Sequence, residues 1–273
     1  MNLDAGSSAT LSVEAAAAGA STAALVVVDP PPHTGHRLLL VLGPDGTERV
    51  HGTLGTPALD ASALAAARGA LADARHGDGL VALGEGVEAF VEVRRPVPDL
   101  VIVGAGHIAL PMARTGAELG FRVWVIDDRP DFATRERFPT AHRVVRADFS
   151  DPFREVPIHG GTHLLLVTRG HKYDYDCLMK ILRCPARPAY IGMIGSRRRV
   201  RATFVQLLDD GIPKERLADI HAPVGLDIGA ETPEEIAVAV AAELVKVRRG
   251  GTGASLRDLE HVAERFFPGA EGA

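Results

Sequence analysis

The sequence predicts an α/β protein: a doubly wound parallel sheet in the C-terminal part, preceded by a smaller N-terminal α+β domain. Three features predict it. From Asp99 onward, short apolar runs alternate with helix-forming segments, the pattern of strands joined by helical crossovers. Some of those runs are apolar throughout, as in "LVIVGAG" (Leu100 to Gly106), the look of a strand buried on both faces. Ahead of residue 95 the runs are shorter and are divided by Pro- and Gly-rich turns.

The elements follow in order. "ALVVV" (Ala24 to Val28) and "RLLLVLG" (Arg37 to Gly43) read as strands, separated by "DPPPHTGH", which no helix could cross. "ASALAAARGALADAR" (Ala61 to Arg75) is helix-prone by its alanines and leucines. "VEAFVEVRRPVPDL" begins as a strand, with Val87, Ala89 and Val91 on one face and Glu88, Phe90 and Glu92 on the other. Pro96 and Pro98 mark the passage to the second unit, so we divide the chain into residues 1–95, 98–250 and a tail of 251–273. In the second unit "FRVWVIDDRP", "HRVV", "THLLLVTRGH" and "PAYIGMIGS" read as strands. Helices are expected over Ile108 to Leu119, Tyr173 to Leu182 and Ser196 to Asp209. The last long helix has Thr232 as N-cap, Pro233 at its first position and Glu235 completing a capping box. Lys246, Arg248 and Arg249 complement its dipole before Gly250 stops it. The tail is expected to hold one short amphipathic helix and then fray.

Composition excludes several classes. Of 273 residues, 46% are hydrophobic and 24% charged, as in globular domains that bury a core. A net charge of −5 argues against a nucleic-acid binder, which needs a basic surface to displace counterions. The two cysteines, Cys177 and Cys184, form no disulfide framework and fit a reducing compartment. They lie seven apart, two helical turns, beside Leu178 and Leu182, and read as core thiols; Pro185 should end that helix. No cationic segment precedes the N-terminal alanine run, and no apolar run approaches the ~18 residues of a membrane span, so a cytoplasmic location is expected. No Cys/His spacing resembles a zinc site, and no metal ligands are assigned.

Gly104, Gly106 and Ala109 match G-x-G-x-x-G/A. The first glycine permits a tight turn, the second lets backbone approach a pyrophosphate, and the small third residue lets helix and strand pack closely. The pattern alone is weak. Here it follows a predicted strand and opens a predicted helix at His107 and Ile108, whose free N–H groups and dipole favour an anion. Asp127 ends the next strand 23 residues on, where an acid would accept ribose hydroxyls, with Asp128 and Arg129 beside it. This is a Rossmann-like unit. A turn kept only for close packing is the bland alternative.

Two later loops reach the same edge of the sheet. "VTRGHKYDYD" places Thr168, Arg169, Gly170, His171 and Asp174 beside the Gly turn. "IGSRRRVRATF" supplies Gly195, Ser196 as an N-cap, and Arg197, Arg198 and Arg199 just inside a helix. Cations in a first helical turn oppose the dipole, so an anionic ligand or plain solvation must favour them.

With these segments, the sequence resembles the XdhC/CoxI accessory proteins of molybdenum hydroxylases such as xanthine dehydrogenase. The likeness runs from about Phe90 to Arg249, through "FVEVRRPVPDLVIVGAGHIA", "VIDDRPDFATRERFP", "VTRGHKYDYDCL", "YIGMIGSRRRV" and "APVGLDIGAETPEEIAVAVAAE". The resemblance implies a Rossmann-like C-terminal domain, binding of the molybdopterin form of the molybdenum cofactor, its sulfuration with a cysteine desulfurase, delivery to a xanthine dehydrogenase-like apo-enzyme, and a homodimer. The N-terminal part departs from the family pattern. Where members carry "GSSPR.PG" and a glycine-rich segment with a cysteine or glutamate, this chain has "DPPPHTGHRLLLV" and "GTLGTPALD". Thr56 and Asp60 are poor substitutes for a soft sulfur ligand, which argues against metal contact there.

Three functions are compatible with these residues. The leading one is a non-catalytic chaperone that binds the molybdenum cofactor, in its mononucleotide-like or cytosine dinucleotide form. The second is an NAD(P)-dependent oxidoreductase, for which His171 with Asp174 is the available acid–base pair. The third is a nucleotide-sensing regulatory module. No catalytic residue is assigned, and neither a nucleic-acid nor a membrane partner is expected.

Overall fold

A computed structural model of the chain describes residues 3–73, 77–84, 86–156 and 158–260. Helix α1 (Ala5–Ala17) starts at Asp4, whose side chain accepts from the Ser7 amide. Strands β1 (Ser21–Asp29) and β2 (Arg37–Leu42) flank the proline-rich turn, followed by β3 (Glu48–Thr53). Helix α2 (Pro57–Ala72), β4 (Gly79–Gly84) and β5 (Val87–Arg94) complete an antiparallel sheet in the order β3-β2-β1-β5-β4. Alternation sends Ala23, Leu25 and Val27 of β1 to one face, where α2 packs with Ala63 and Ala67. On the other face, α1 brings Leu11 and Ala15 against Leu39 and Val41.

Helix α2 starts four residues ahead of the alanine-rich run. The Thr56 hydroxyl accepts from the Leu59 amide at 3.2 Å, and Pro57 occupies the first turn. Asp60, one turn in, accepts from the Thr53 hydroxyl at 2.8 Å and the Leu54 amide at 2.6 Å. Thus Thr56 and Asp60 serve as local structure. The expected end of this helix at Arg75 lies outside the described residues.

The second sheet is built from β6 (Asp99–Val103), helix α3 (Ala109–Glu118), β7 (Arg122–Asp127), β8 (Arg143–Arg146), β9 (Thr162–Leu166), helix α4 (His171–Arg183) and β10 (Tyr190–Met193). Helices α5 (Arg197–Asp209) and α6 (Lys214–Ala218), the two-residue β11 (Ile220–His221) and helices α7 (Pro233–Arg249) and α8 (Leu256–Glu260) follow. Its strands are parallel in the order β11-β10-β9-β6-β7-β8. This is the doubly wound Rossmann order, with the switch of direction between β6 and β9. Both central strands are buried along their whole length. One face carries α4 and α5 over Val101, Val103 and Leu164; the other carries α3 and α7 over Leu100, Ile102 and Leu165.

Helix α7 has the expected Thr232–Glu235 capping box and Pro233, and it stops at Gly250 in the left-handed conformation. Helix α4 ends at Arg183, with Cys184 as its C-cap and Pro185 next. Cys177 is fully buried, which pushes its thiol up; Cys184 is half-buried. Of the expected tail, α8 lies within the described residues and 261–273 lie outside them. Among the described residues no helix is long and apolar enough to cross a membrane.

Asp99 and His163 are buried at the amino-terminal edge of the parallel sheet. Asp99 accepts from Arg122 Nε at 2.6 Å, Trp124 Nε1 at 2.7 Å and His159 Nε2 at 2.8 Å. His163, 5% exposed, lies edge-on to Phe121 and is stacked on Tyr190. Burial holds its imidazole down to about 4, so it is neutral in the fold. The unfolded chain would protonate it near the ordinary value of about 6.5. Between those values the unfolded state binds the extra proton, so stability falls as pH falls. We expect a loss of about 2 kcal/mol between about pH 7 and pH 5 from this group alone. Urea midpoints of the wild type and His163→Phe at both pH values check it: the two proteins should diverge on acidification, and parallel curves would refute the assignment.

Candidate functional site

The loop between β6 and α3 lies at the switch point. Gly104 has φ +105°, and a Cβ there would stand 2.6 Å from the Val167 carbonyl oxygen, so the loop after β9 closes directly on this glycine. The Ala105 peptide is held from both sides: its N–H donates to Asp127 Oδ2 at 2.7 Å and its carbonyl accepts from Arg137 Nη2 at 3.2 Å. Gly106 differs. A Cβ there would meet nothing within 4 Å, and its φ lies outside the positive region. Among the described residues the amides of Gly106, His107, Ile108, Ala109 and Leu110 have no backbone acceptor. No side chain caps α3 either. The result is a rigid turn followed by bare N–H groups at the positive end of a helix, with His107 exposed beside them.

Asp127 requires a correction. It ends β7 as expected, but it is 1% exposed and its carboxylate is consumed internally. Oδ1 accepts from the Arg129 amide and Nε, and Oδ2 from the Ala105 amide and Arg129 Nη2, each at 2.7–2.9 Å. A carboxylate has about four lone-pair sites, and all are used. Burial opposes the charge, yet these hydrogen bonds outweigh it and hold the carboxyl near about 2. Asp127 therefore shapes the turn and does not offer an acceptor to ribose hydroxyls. Its neighbour Asp128 pairs bidentately with Arg169 at 2.6 and 2.7 Å. Arg169 also donates to the Tyr173 hydroxyl and lies 4.2 Å over that ring.

The remaining loop residues form a second buried network. The Thr168 hydroxyl donates to Asp174 Oδ1 at 2.6 Å, and Arg199 Nε donates to Asp174 Oδ2 at 2.7 Å. Arg199 Nη2 reaches the Thr168 carbonyl at 3.0 Å. Asp174 is fully buried, and burial raises its carboxyl pKa despite these partners. His171, the exposed first residue of α4, makes no hydrogen bond to it among the described residues, though its charge acts on that carboxylate. Gly170 precedes α4 as its N-cap, and Gly195 lies against the Arg199 stem. Ser196 caps α5 by accepting from the Arg199 amide at 3.3 Å. Arg197 and Arg198 point to solvent, with no ion pair or hydrogen bond among the described residues.

Residue by residue, the structure brings Gly104, Asp127, Asp128, Arg129, Thr168, Arg169 and Asp174 together as the frame of the site. It leaves Gly106, His107 and Ile108 open at the start of α3, and Arg197 and Arg198 exposed at the start of α5. Sequence reasoning missed Arg137. This guanidinium packs 4.5 Å from the Phe132 ring, whose other contact is Arg129 at 3.6 Å. Like Arg197 and Arg198, it has no carboxylate partner among the described residues. The "RERFP" segment offered one clue, an arginine beside Phe138. Three carboxylates are matched by Arg129, Arg169 and Arg199, whereas Arg137, Arg197 and Arg198 have no ion pair among the described residues. Among the described residues no group of His, Cys, Asp and Glu is arranged to hold a metal ion.

Comparison with known proteins agrees with this architecture. A crystal structure of a xanthine dehydrogenase from Bacillus halodurans has the same fold, with a TM-score of 0.65 and 23% identity over 92% of this chain and 67% of that one. "Uncharacterized protein YqeB" of Escherichia coli (strain K12) is 34% identical over 179 residues, 65% of this chain and 32% of that protein. A probable xanthine dehydrogenase subunit of Bacillus subtilis (strain 168) is 34% identical over 160 residues, 59% of this chain and 46% of that protein. The matched region thus spans about a third of the first relative and under half of the second. Residues 100–244, from β6 into α7, match the family of the XdhC Rossmann domain, and the chain belongs to that family.

Proposed function

We propose that this chain holds the molybdenum cofactor by its phosphate end at the Gly106–Leu110 amides and serves as an accessory, non-catalytic protein in the maturation of a xanthine dehydrogenase-type molybdenum hydroxylase. A single observation carries the reading. The open face of Gly106 and the bare amides after it lie beside Arg137, which has no carboxylate partner among the described residues. Such a cradle suits a small, doubly charged oxyanion. The relatives named for xanthine dehydrogenase supply the client class.

The residues fit the phosphate end of the cofactor and not its metal. Cys177 is sealed in the core, and Cys184 lies at the far end of α4. When bound, the cofactor supplies its molybdenum to the client enzyme. What this chain's own residues do is bind and orient: Gly106, His107 and Ile108 donate N–H groups, and Arg137 with Arg197 and Arg198 supplies charge. Sulfuration with a cysteine desulfurase and assembly as a homodimer belong to the same proposal. The occupied state of Asp127 favours the mononucleotide-like cofactor over NAD(P) or the cytosine dinucleotide form, both of which carry a ribose that needs an acceptor.

Titration of the full chain with molybdopterin, its cytosine dinucleotide, NAD and NADP tests the proposal. Molybdopterin should bind tightest, with no turnover. Tight NAD binding with substrate-dependent turnover would replace it with an oxidoreductase. NAD binding without turnover would replace it with a nucleotide-sensing module.

A further inference from the structure

A cleft of about 740 Å³ opens at the other end of the parallel sheet, where the two domains meet. Its size and its place at a domain interface are those of small-molecule sites. Leu42 and Val93 of the antiparallel domain, Val97 of the linker and Leu119 after α3 give it apolar walls. Into this apolar space come three cations: Arg95 from the linker, and Arg248 and Arg249 from the last turn of α7.

The two charges from α7 are poorly compensated. Arg248 lies 4.9 Å over the Phe121 ring, and neither it nor Arg249 has an ion pair or hydrogen bond among the described residues. Burial lowers the pKa of Arg95 and of Arg248; the Asp73 carboxylate partly offsets this at Arg95, and the nearby charge of Arg249 lowers both further. The dipole of α7 accounts for cations in its last turn. It does not account for Arg95, which arrives from another element and is held over the same cleft by the Ala70 and Asp73 carbonyls at 2.8 Å. Gathering like charges in a partly dry space costs free energy that an anion would offset. Of the neighbouring imidazoles, His163 is neutral and His159 is turned to Asp99.

We propose that the interdomain cleft is a second ligand site, for a small molecule with a ring-sized apolar body carrying a carboxylate or phosphate. The anionic group lies on Arg248 and Arg249, and the apolar body lies against Leu42, Val93 and Leu119. This ligand touches both domains at once and binds at the opposite edge of the sheet from the Gly turn, so the two sites are independent.

The test uses the full chain and 1-naphthyl phosphate and 1-naphthoate as probes, with inorganic phosphate and 1-naphthol as controls, followed by calorimetry. At least one naphthyl anion should bind at a single site about tenfold or more tighter than either control. Preference for phosphate or carboxylate then identifies the anionic group. Arg248→Gln with Arg249→Gln should weaken that binding by about tenfold or more. Gly160→Leu should abolish it by filling the cleft, because a Cβ at Gly160 meets nothing within 4 Å and its φ lies outside the positive region. Gly106→Val should leave it unchanged. No saturable binding of either anion, equal binding by the folded arginine and Gly160 variants, or loss in Gly106→Val would each overturn the proposal. The last outcome would also place the probe in the Gly turn, so failure here is distinct from failure of the cofactor reading.

Discussion

Gly104→Ala is expected to cost about 3–5 kcal/mol of folding stability, a large share of the total for a domain. Two effects add. At φ +105° an L-residue is held in a conformation that side chains rarely adopt, which costs about 1–3 kcal/mol. The new methyl would also stand 2.6 Å from the Val167 carbonyl oxygen and 3.1 Å from Thr168 Cα, both backbone atoms that cannot swing aside. Relief requires moving the loop after β9 and so breaking the Thr168–Asp174–Arg199 network behind it, where a fully buried carboxylate would lose its partners. Urea denaturation of the purified variant checks it. A loss below about 1 kcal/mol would show that the two loops separate freely, and the rigid turn described above would be wrong.

The same residues show what a sequence discloses and what it withholds. The Gly104 turn, the β6 strand and the Thr232–Glu235 cap were legible because each is encoded by neighbours: a buried run ending in glycines, or a cap and its partner three residues on. Strand β3 was not legible, since its "ERVHGT" lies at the edge of the sheet and has no buried face to impose alternation. Strand β11 has two residues and no pattern to read. Within the site, Asp127 was found by position, but its role depended on Arg129 folding back and on the Ala105 amide pointing at it, and neither leaves a trace in spacing. Three consecutive arginines looked equivalent. Only Arg199 faces Asp174, because the third residue after the Ser196 cap lies on the inner side of α5. Arg137 reaches Ala105 across 32 positions of sequence, a contact that belongs to the fold alone.

Gly106→Val should do the reverse of the Gly104 substitution: spare the fold and empty the site. Nothing stands within 4 Å of the added Cβ, and the backbone there does not require φ above zero, so stability should change by less than about 1 kcal/mol. The valine side chain would, however, stand over the N–H groups that an oxyanion must reach. A charge-assisted hydrogen bond contributes about 1.5–3 kcal/mol, so blocking two of them should weaken cofactor retention by at least about 100-fold. Gel filtration of the variant after loading with molybdopterin, alongside its urea midpoint, separates the two effects. A normal midpoint with the cofactor lost supports a phosphate cradle at this turn. A normal midpoint with the cofactor retained would move the site elsewhere, and the open glycine would then be a consequence of close packing at the switch point and nothing more.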